Sequence, residues 1–252
     1  MRFIVLSSGS KGNTTYVECG HTKLLIDLGN NCKYVVSKLE EIGVDAKDID
    51  GILLTHTHTD HVGGLRVFLK RFGTKVYLTN GALSELDYIS NYQIISLGSL
   101  NIGEFSIDVF RTSHDAPDSV GFVLHGDGKN IVYVTDTGYI NEKNFFMLSN
   151  ADAYVMESNH DVEMLSNGKY PFYLRQRILS DKGHISNYDC ARYLSVLSGD
   201  RTKCVVLAHL SLENNTPELA YQALMNRLEE DGKSFDKIII AKQNEETEMV
   251  EV

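Results

Sequence analysis

At 252 residues and 42% hydrophobic content, the chain is long enough for one sizeable layered domain, and we expect a single domain over residues 1–252. Its formal net charge of −10 argues against broad nonspecific affinity for nucleic acid, because phosphate backbones are bound by accumulated Lys and Arg side chains. The four cysteines form no CxxC pair, so we expect them to be reduced. No apolar run approaches the about twenty residues that span a bilayer, so we expect a cytoplasmic protein without membrane contact. We expect no obligate protein partner.

Hydrophobic periodicity predicts alternating strands and helices along the whole chain. The first elements are strands over Arg2–Ser7, Thr14–Glu18 and Lys23–Leu28, a helix over Lys33–Ile42, a buried strand at Ile52–Leu54 and a helix starting just past Asp60. The middle of the chain has strands at Val76–Leu78, Gln93–Leu97, Phe105–Arg111, Val120–Leu124 and Ile131–Thr135, with a helix at Ala82–Ile89. The last elements are strands at Tyr154–Glu157, Cys204–Leu207 and Lys237–Ile240, and helices near Tyr170–Leu179, Asn187–Leu197 and Pro217–Glu230. This order fits an α/β fold of two sheets with helices outside, followed by an acidic, disordered terminal segment over residues 243–252.

The strongest chemical signal is the segment THTHTDHVGG, residues 55–64, which follows the buried strand. It places four potential metal ligands within six positions: His56, His58, Asp60 and His61. If Thr55–His58 is extended, His56 and His58 project to the same side. A solvated His/Thr loop is the alternative, but such loops rarely follow a buried strand with so many coordinating groups. The segment therefore predicts a metal site.

The segment resembles the HxHxDH signature of the metallo-β-lactamase superfamily, and the resemblance continues through His114 in RTSHDAPDSVGF, Asp136 in YVTDTG and His209 in VVLAHLS. It implies a four-layer αββα sandwich that holds two divalent metal ions. One ion is assigned His56, His58 and His114, the other Asp60, His61 and His209, with Asp136 as the bridge. In such pairs the ions lie about 3.5–4 Å apart and activate a shared water as hydroxide. Imidazole and carboxylate ligands suit Zn²⁺, with Mn²⁺ or Fe²⁺ as alternatives.

A second set of residues resembles the phosphodiesterase branch that includes RNase Z. The segment GHIS, with His184 and Ser186, precedes AHLS by some twenty-five residues, and in that branch the earlier histidine assists protonation of the leaving group. Glu157 and His160, in YVMESNHD, resemble the branch's strand-end segment, whose carboxylate orients the catalytic histidine. The resemblance implies that Asp60, Glu157 and His184 are catalytic. An ordinary helix-capping loop around Ser186 is the alternative for this segment.

The segment LSSGSKGN, residues 6–13, together with HDAPDSVGF and ESNHD, resembles the YycJ/WalJ group of single-domain bacterial DNA exonucleases. That likeness implies a DNA substrate, favoured over RNA, and cleavage in the 5′-to-3′ direction. The stretch Lys169–Lys203 has seven basic and three acidic residues, a net charge of +4, and we expect it to contact backbone phosphates or, alternatively, to be a solvated helical face. The expected substrate contacts are His160, Arg175, Arg177, Lys182 and Ser186.

Three other functions compete with this interpretation. A hydrolase of small thioesters, lactones or lactams would need no basic groove, and the GHIS segment argues against it. An RNA-processing nuclease is less expected, because the chain has neither the tRNA-gripping arm of RNase Z nor the long insertion of RNase J. A noncatalytic module would need only a closed four-ligand site, whereas seven ligands are present here.

Overall fold

The computed structural model describes all 252 residues and contains two seven-stranded sheets. The strands of the first sheet are β1 (Arg2–Ser7), β2 (Thr14–Cys19), β3 (Thr22–Ile26), β4 (Gly51–Leu53), β5 (Val76–Leu78), β6 (Tyr92–Ile94) and β14 (Val250–Glu251). Those of the second are β7 (Gly98–Ile102), β8 (Phe105–Arg111), β9 (Val120–Gly126), β10 (Lys129–Val134), β11 (Ala153–Glu157), β12 (Cys204–Ala208) and β13 (Lys237–Ile240). The helices are α1 (Cys32–Glu41), α2 (Thr59–Val62), α3 (Leu65–Phe72), α4 (Asn80–Glu85), α5 (Phe145–Leu148), α6 (Val162–Asn167), α7 (Phe172–Ile178), α8 (Asn187–Leu197) and α9 (Pro217–Glu230).

Each sheet is mixed, and the strands that precede the predicted ligand loops are mostly parallel neighbours. The first sheet has the order β14-β1-β2-β3-β4-β5-β6, and β3 to β6 pair in parallel. The second has the order β13-β12-β11-β10-β9-β8-β7, and β10 to β13 pair in parallel. Because the carboxyl ends of parallel strands meet at one edge of a sheet, the loops after β3, β4, β10, β11 and β12 can converge there.

Alternating side chains on the strands build three hydrophobic layers. Val155 and Val206 point into the core between the two sheets, whereas their neighbours Tyr154 and Val205 pack under the helices of the second sheet. A third cluster joins the first sheet to α1, α3 and α4. The result is the expected four-layer αββα sandwich. None of its helices is long and apolar enough to cross a membrane.

The terminal segment differs from the expectation of disorder. Val250 pairs with Phe3 across the edge of the first sheet and is buried, and Gln243 is buried as well. Thr247 donates its backbone N–H to the carbonyl of Val5. The acidic composition of residues 243–252 indicates solvation, but Val250 and Glu251 pair with β1, and Gln243 and Thr247 form hydrogen bonds with N-terminal residues.

Other differences concern element boundaries. The helix after the histidine cluster begins at Thr59 and not past Asp60, so Asp60 and His61 lie in the first turn of α2. The predicted strand Gln93–Leu97 ends at Ile94, and the chain then crosses to the other sheet through Gly98, whose φ is 116°. Strand β7 was missed for that reason, because the change of sheet leaves no mark in the hydrophobic pattern.

Candidate metal centre

The predicted ligands lie in loops that follow strands of both sheets. His56 and His58 follow β4, His114 follows β8, Asp136 follows β10 and His209 follows β12. Two of these residues have left-handed backbone conformations, with φ of 55° at both Asp136 and His209. Non-glycine residues rarely adopt this conformation, and where they do they often mark functional sites. At each of these two strand ends the chain turns sharply to bring the side chain into the centre.

The side chains converge into overlapping groups of donor atoms that lie within 4.8 Å of one another. The groups are His56, His58 and His114; Asp60, His61 and His209; His56, His61 and Asp136; and Asp136, Glu157, His184 and His209. The first two groups match the two ligand sets implied by the sequence resemblance. Asp136 belongs to the two remaining groups and so stands between the sets.

The hydrogen bonding of these residues fits metal ligands. Nε2 of His56 is buried and has no hydrogen-bond partner, an arrangement that costs free energy unless a cation occupies the space. Oδ2 of Asp136 is also buried without a hydrogen bond, and it lies 3.2 Å from Nε2 of His61. Nε2 of His114 lies 3.2 Å from Nδ1 of His58. Two nitrogen ligands at tetrahedral positions around Zn²⁺ would be about 3.4 Å apart, so this spacing suits a shared ion. The centre is therefore suited to divalent metal ions.

A buried carboxylate that the sequence analysis missed holds two of the ligands in place. Asp27 lies in the left-handed conformation after β3, and its Oδ2 accepts a 2.7 Å hydrogen bond from Nδ1 of His61. Its carboxylate also accepts hydrogen bonds from the backbone N–H and hydroxyl of Thr55, at 2.8 and 2.7 Å. Because that hydroxyl donates to Asp27, it accepts from Nδ1 of His56, 3.0 Å away. Nε2 is then the atom that each histidine turns toward the centre: that of His56 has no hydrogen-bond partner, and that of His61 lies 3.0 Å from Nδ2 of Asn13.

The N-terminal loop supports the ligands of the second set. Asn13 donates through Nδ2 to Oδ2 of Asp60 at 3.2 Å, and the hydroxyl of Ser8 accepts the backbone N–H of His209 at 2.7 Å. The terminal segment braces this loop in turn. Gln243 accepts the backbone N–H of Lys11 through Oε1 and donates through Nε2 to the carbonyl of Ser8, both at 3.1 Å. These contacts give a structural role to the SSGSKGN segment.

Glu157 connects the metal ligands with His184. It is fully buried, and its Oε1 accepts hydrogen bonds from Nδ1 of His184 at 2.6 Å and from Nδ1 of His209 at 2.9 Å. Oε2 accepts the backbone N–H of Thr137 at 3.0 Å. The structure thus contains the contact between Glu157 and His184 that the sequence resemblance implied.

The electrostatics of the centre favour cations. Burial lowers the pKa of His61, but the carboxylates of Asp136 and Asp27 outweigh burial and raise that pKa to about 10. Burial raises the pKa of Glu157, but His184 and His209 outweigh it and lower that pKa to about 2. The carboxylate of Glu157 is therefore ionised, and the negative charge of the centre is what a bound cation would neutralise.

A cleft of about 230 Å³ opens onto these residues. His58, Asp60, Asp136, His184 and His209 form its floor, and α7 forms one wall through Leu174, Arg177 and Ile178. Of the basic residues expected to contact substrate, Arg177 lines the cleft, where its Nε donates to Asp115 at 2.5 Å. Arg175 instead donates to the carbonyl of Ser166, and Lys182 is exposed beyond the cleft lining.

The basic stretch is not one continuous surface. Arg177 lines the cleft, and Lys169 and Lys182 are close in sequence to the lining residues Tyr170 and His184. Arg201 and Lys203 instead precede β12, whose far end carries His209. Arg201 is bonded there to Asp152 at 2.6 Å. The basic residues of Lys169–Lys203 therefore divide between the two ends of the sheet, because α8 carries the chain from one end to the other.

Two residues expected to contact substrate are buried instead. His160 is 1% exposed, and neither of its ring nitrogens has a hydrogen-bond partner. Ser186 is also buried, and its hydroxyl accepts the backbone N–H of Asp189 at 3.1 Å to cap α8. Neither side chain lines the cleft, so the structure does not support direct substrate contact by either. The capping alternative is correct for Ser186.

Comparison with known proteins agrees with this geometry. Residues 8–174 match the family model of the metallo-beta-lactamase superfamily. The chain is 40% identical over 236 residues to exodeoxyribonuclease WalJ of Streptococcus pneumoniae serotype 2 strain D39, covering 90% of this chain and 88% of that one. It is 38% identical over 239 residues to exodeoxyribonuclease YycJ of Bacillus anthracis, covering 92% and 90%.

Solved structures show the same fold at low sequence identity. YhfI from Bacillus subtilis, described as a metallo-beta-lactamase fold protein, superposes with a TM-score of 0.74 at 19% identity and covers 98% of this chain and 100% of that one. The short form of human tRNase Z superposes with a TM-score of 0.67 at 19% identity and covers 98% and 99%. The family match, the four-layer fold and the His/Asp cluster agree, and the chain belongs to the metallo-β-lactamase superfamily of metal-dependent hydrolases.

Proposed function

We propose that this enzyme is a DNA exonuclease that degrades strands in the 5′-to-3′ direction and uses two divalent metal ions, with Zn²⁺ the best fit to the ligands. The proposal rests on the pairing of His184 with Glu157 at the floor of the cleft. A histidine held there is what cleavage of a phosphodiester needs, because its alkoxide leaving group must be protonated. The relatives that cover most of the chain are named exodeoxyribonucleases, which supports the same choice.

Seven residues would hold the two ions. His56, His58 and His114 would bind one, Asp60, His61 and His209 the other, and the carboxylate of Asp136 would serve both. Bound metals supply an activated water and neutralise charge on the reacting phosphate. Asp27 and Asn13 fix the orientation of the ligands, so that little rearrangement accompanies binding.

His184 would protonate the leaving oxygen. Its Nδ1 donates to Glu157, so Nε2 is the atom available to substrate. The same Nδ1 lies 3.8 Å from Oδ1 of Asp136, which places the ring beside the bridging ligand. Glu157 is a positioning residue, because it is fully buried and acts through the two histidines that it holds.

A panel of labelled nucleic acids would test the proposal. Single- and double-stranded DNA and RNA, labelled at either the 5′ or the 3′ end, would be incubated with protein loaded with Zn²⁺ or Mn²⁺. We expect 5′-labelled DNA to release labelled mononucleotide from the first turnovers and 3′-labelled DNA to give a ladder of shortening strands. The Asp136→Ala variant, measured in parallel, identifies contaminating nuclease.

Two results would overturn the proposal. Faster degradation of RNA than of DNA would assign the site to RNA processing. Intact nucleic acids together with efficient turnover of a thioester or lactone would assign it to small acyl substrates. Two metal equivalents per chain, measured by elemental analysis of the same preparation, are expected.

A further inference from the structure

The wall of the cleft formed by α7 combines aromatic and basic side chains in a way that the metal chemistry does not require. Tyr170 lines the cleft just before the helix, and Tyr173 in the first turn is 74% exposed. Residues 169–180 contain three basic and no acidic residues, in a chain whose net charge is −10. Exposed aromatic rings beside cations are a costly surface for a protein to leave in water unless they bind something.

We propose that Tyr170 and Tyr173 form a stacking platform for unpaired bases of the strand that enters the cleft, so that the enzyme acts on single-stranded ends. This inference rests on the proposed nuclease function and adds the form of the substrate. Aromatic rings bind bases through their π faces with little regard to sequence, as a general exonuclease requires. The platform is defined here as the side chains of Tyr170 and Tyr173.

The geometry of α7 directs the platform toward the metal centre. Leu174, Arg177 and Ile178 line the cleft, which fixes the inward face of the helix. Tyr173 precedes Arg177 by four residues, and at 3.6 residues per turn the two lie about 40° apart around the axis. Tyr173 therefore stands at the rim of the cleft, one turn out from Arg177, while Tyr170 lies inside it.

Charge identifies nucleic acid as the occupant. Lys169 and Lys182 flank α7 and form no ion pair, so both ammonium groups are free to meet phosphates. A strand whose bases stack on the platform would pass its backbone along these cations toward Asp136 and His184.

Phe172 provides a matched control. It is 70% exposed on the same helix, but it lies two residues before Leu174 and hence about 200° around the axis, away from the cleft. Replacing Phe172 by Ala removes as much aromatic surface as replacing one tyrosine. We expect Phe172→Ala to digest DNA like the unaltered enzyme.

The test compares KM for a single-stranded oligonucleotide with KM for the same strand made abasic at its three terminal nucleotides. We expect the double variant Tyr170→Ala/Tyr173→Ala to raise KM for the normal strand about 5- to 150-fold, the range of one stacked base. Most of the loss in kcat/KM should come from KM. The abasic strand keeps its phosphates, and with the unaltered enzyme its KM should exceed that of the normal strand by the same factor. With the double variant, KM for the abasic strand should rise no further. Tyr170→Phe/Tyr173→Phe should restore a low KM, because phenylalanine also stacks.

Other results would overturn the inference. An unchanged KM for the double variant, an equal effect of Phe172→Ala, or additive effects of variant and abasic strand would each exclude stacking at this platform. Unchanged KM with loss of self-association in the double variant would assign the surface to a second copy. The same assay separates the inference from the proposed function. Degradation of DNA by the unaltered enzyme supports the proposed function, whereas the variants test only the stacking platform. Thermal unfolding midpoints of the variants report whether they fold.

Discussion

Asp27 and His61 form a hydrogen-bonded pair of 2.7 Å in which neither side chain is exposed. The carboxylate accepts three hydrogen bonds, two of them from Thr55, so both of its oxygens must be acceptors. An asparagine of the same shape would turn an N–H group toward a donor. We therefore expect Asp27→Asn to weaken metal binding by roughly 10- to 100-fold, the usual effect of losing such a partner.

The measurement is a competition titration with a chromogenic chelator. Asp108→Asn is the matched control, because Asp108 also accepts a hydrogen bond from a histidine, His125 at 2.9 Å, but in the hairpin of β8 and β9 outside the donor groups. Metal affinity that is equal for the two variants would show that Asp27 has no part in the centre.

Asp136 should matter more than His114. The aspartate belongs to two donor groups and stands between the two ligand sets, whereas the histidine belongs to one group. We expect Asp136→Ala to lose both metal equivalents and nearly all turnover of bis-nitrophenyl phosphate, and His114→Ala to keep about one equivalent. Elemental analysis and steady-state kinetics on the same samples would measure this. Equal, mild losses from both substitutions would contradict the bridging role.

His184 should affect only difficult leaving groups. We expect His184→Ala to keep its metals and to lose about 10²- to 10⁴-fold in turnover of DNA, the range for a general acid. Bis-nitrophenyl phosphate should be much less affected, because nitrophenolate leaves without a proton. Glu157→Gln should reduce metal content as well, since Glu157 also holds His209. A uniform loss on both substrates in His184→Ala would indicate a structural role.

The salt dependence of DNA binding should follow the position of lysines and not their number. Lys169 and Lys182 are close in sequence to the cleft residues Tyr170 and His184. Lys47 and Lys203 precede β4 and β12 and lie at the opposite ends of those strands from the ligand loops. We expect Lys169→Gln/Lys182→Gln to reduce the slope of log KM against log salt by about 1.4 on single strands, which is about 0.7 for each phosphate that is no longer neutralised. Lys47→Gln/Lys203→Gln makes the same change in net charge and should leave the slope unaltered. Equal slopes for the two variants would refute local binding of phosphates by Lys169 and Lys182.

His160 should make the protein sensitive to mild acid. Burial lowers the pKa of His160 from 6.5 to about 4. Between these values the unfolded chain binds a proton that the folded protein does not, so the free energy of unfolding falls as the pH falls from 6.5 toward 4. The loss from this residue is about 2 kcal/mol at pH 5.

Because neither ring nitrogen is hydrogen-bonded, His160→Leu leaves no group unpaired, and we expect it to retain more of its stability at pH 5 than the unaltered protein does. Urea unfolding at pH 7 and pH 5 would measure the difference. The exposed His21 is the control, because the burial argument does not apply to it. If the free energy of unfolding falls equally in His160→Leu and His21→Leu on acidification, His160 does not remain neutral in the folded state.

The sequence predicted the side chains that meet in the centre because four of them fall within six positions of the chain, and the others could be matched in order to a known pattern. Asp27 could not be found in this way. It is a single aspartate after a strand, and its meaning depends on the parallel pairing of β3 with β4, which brings it beside Thr55. The signal available in the sequence is an acidic residue at the end of a buried strand, two positions before Gly29.

Burial and the path of the chain account for the differences between the expected and the observed positions of these residues. His160 was expected at the substrate because it lies near Glu157 in sequence, but the turn after β11 directs its ring into the protein. The basic residues of Lys169–Lys203 are close in sequence, but α8 separates the two ends of this stretch in space. A count of charges contains no information about which end of a sheet each one reaches.

The contacts of residues 243–251 with β1 and the loop after it have a consequence for how the protein is made. Thr247 bonds to Val5 across 242 positions of sequence, and Gln243 braces the loop that holds Asn13 against Asp60. While the ribosome is still translating the helix α9, every ligand from His56 to His209 already exists, but the N-terminal loop lacks its brace and β1 has an open edge. Contacts this distant in sequence form late in folding. A nascent chain should therefore hold metal weakly until the segment around Gln243 has left the exit tunnel.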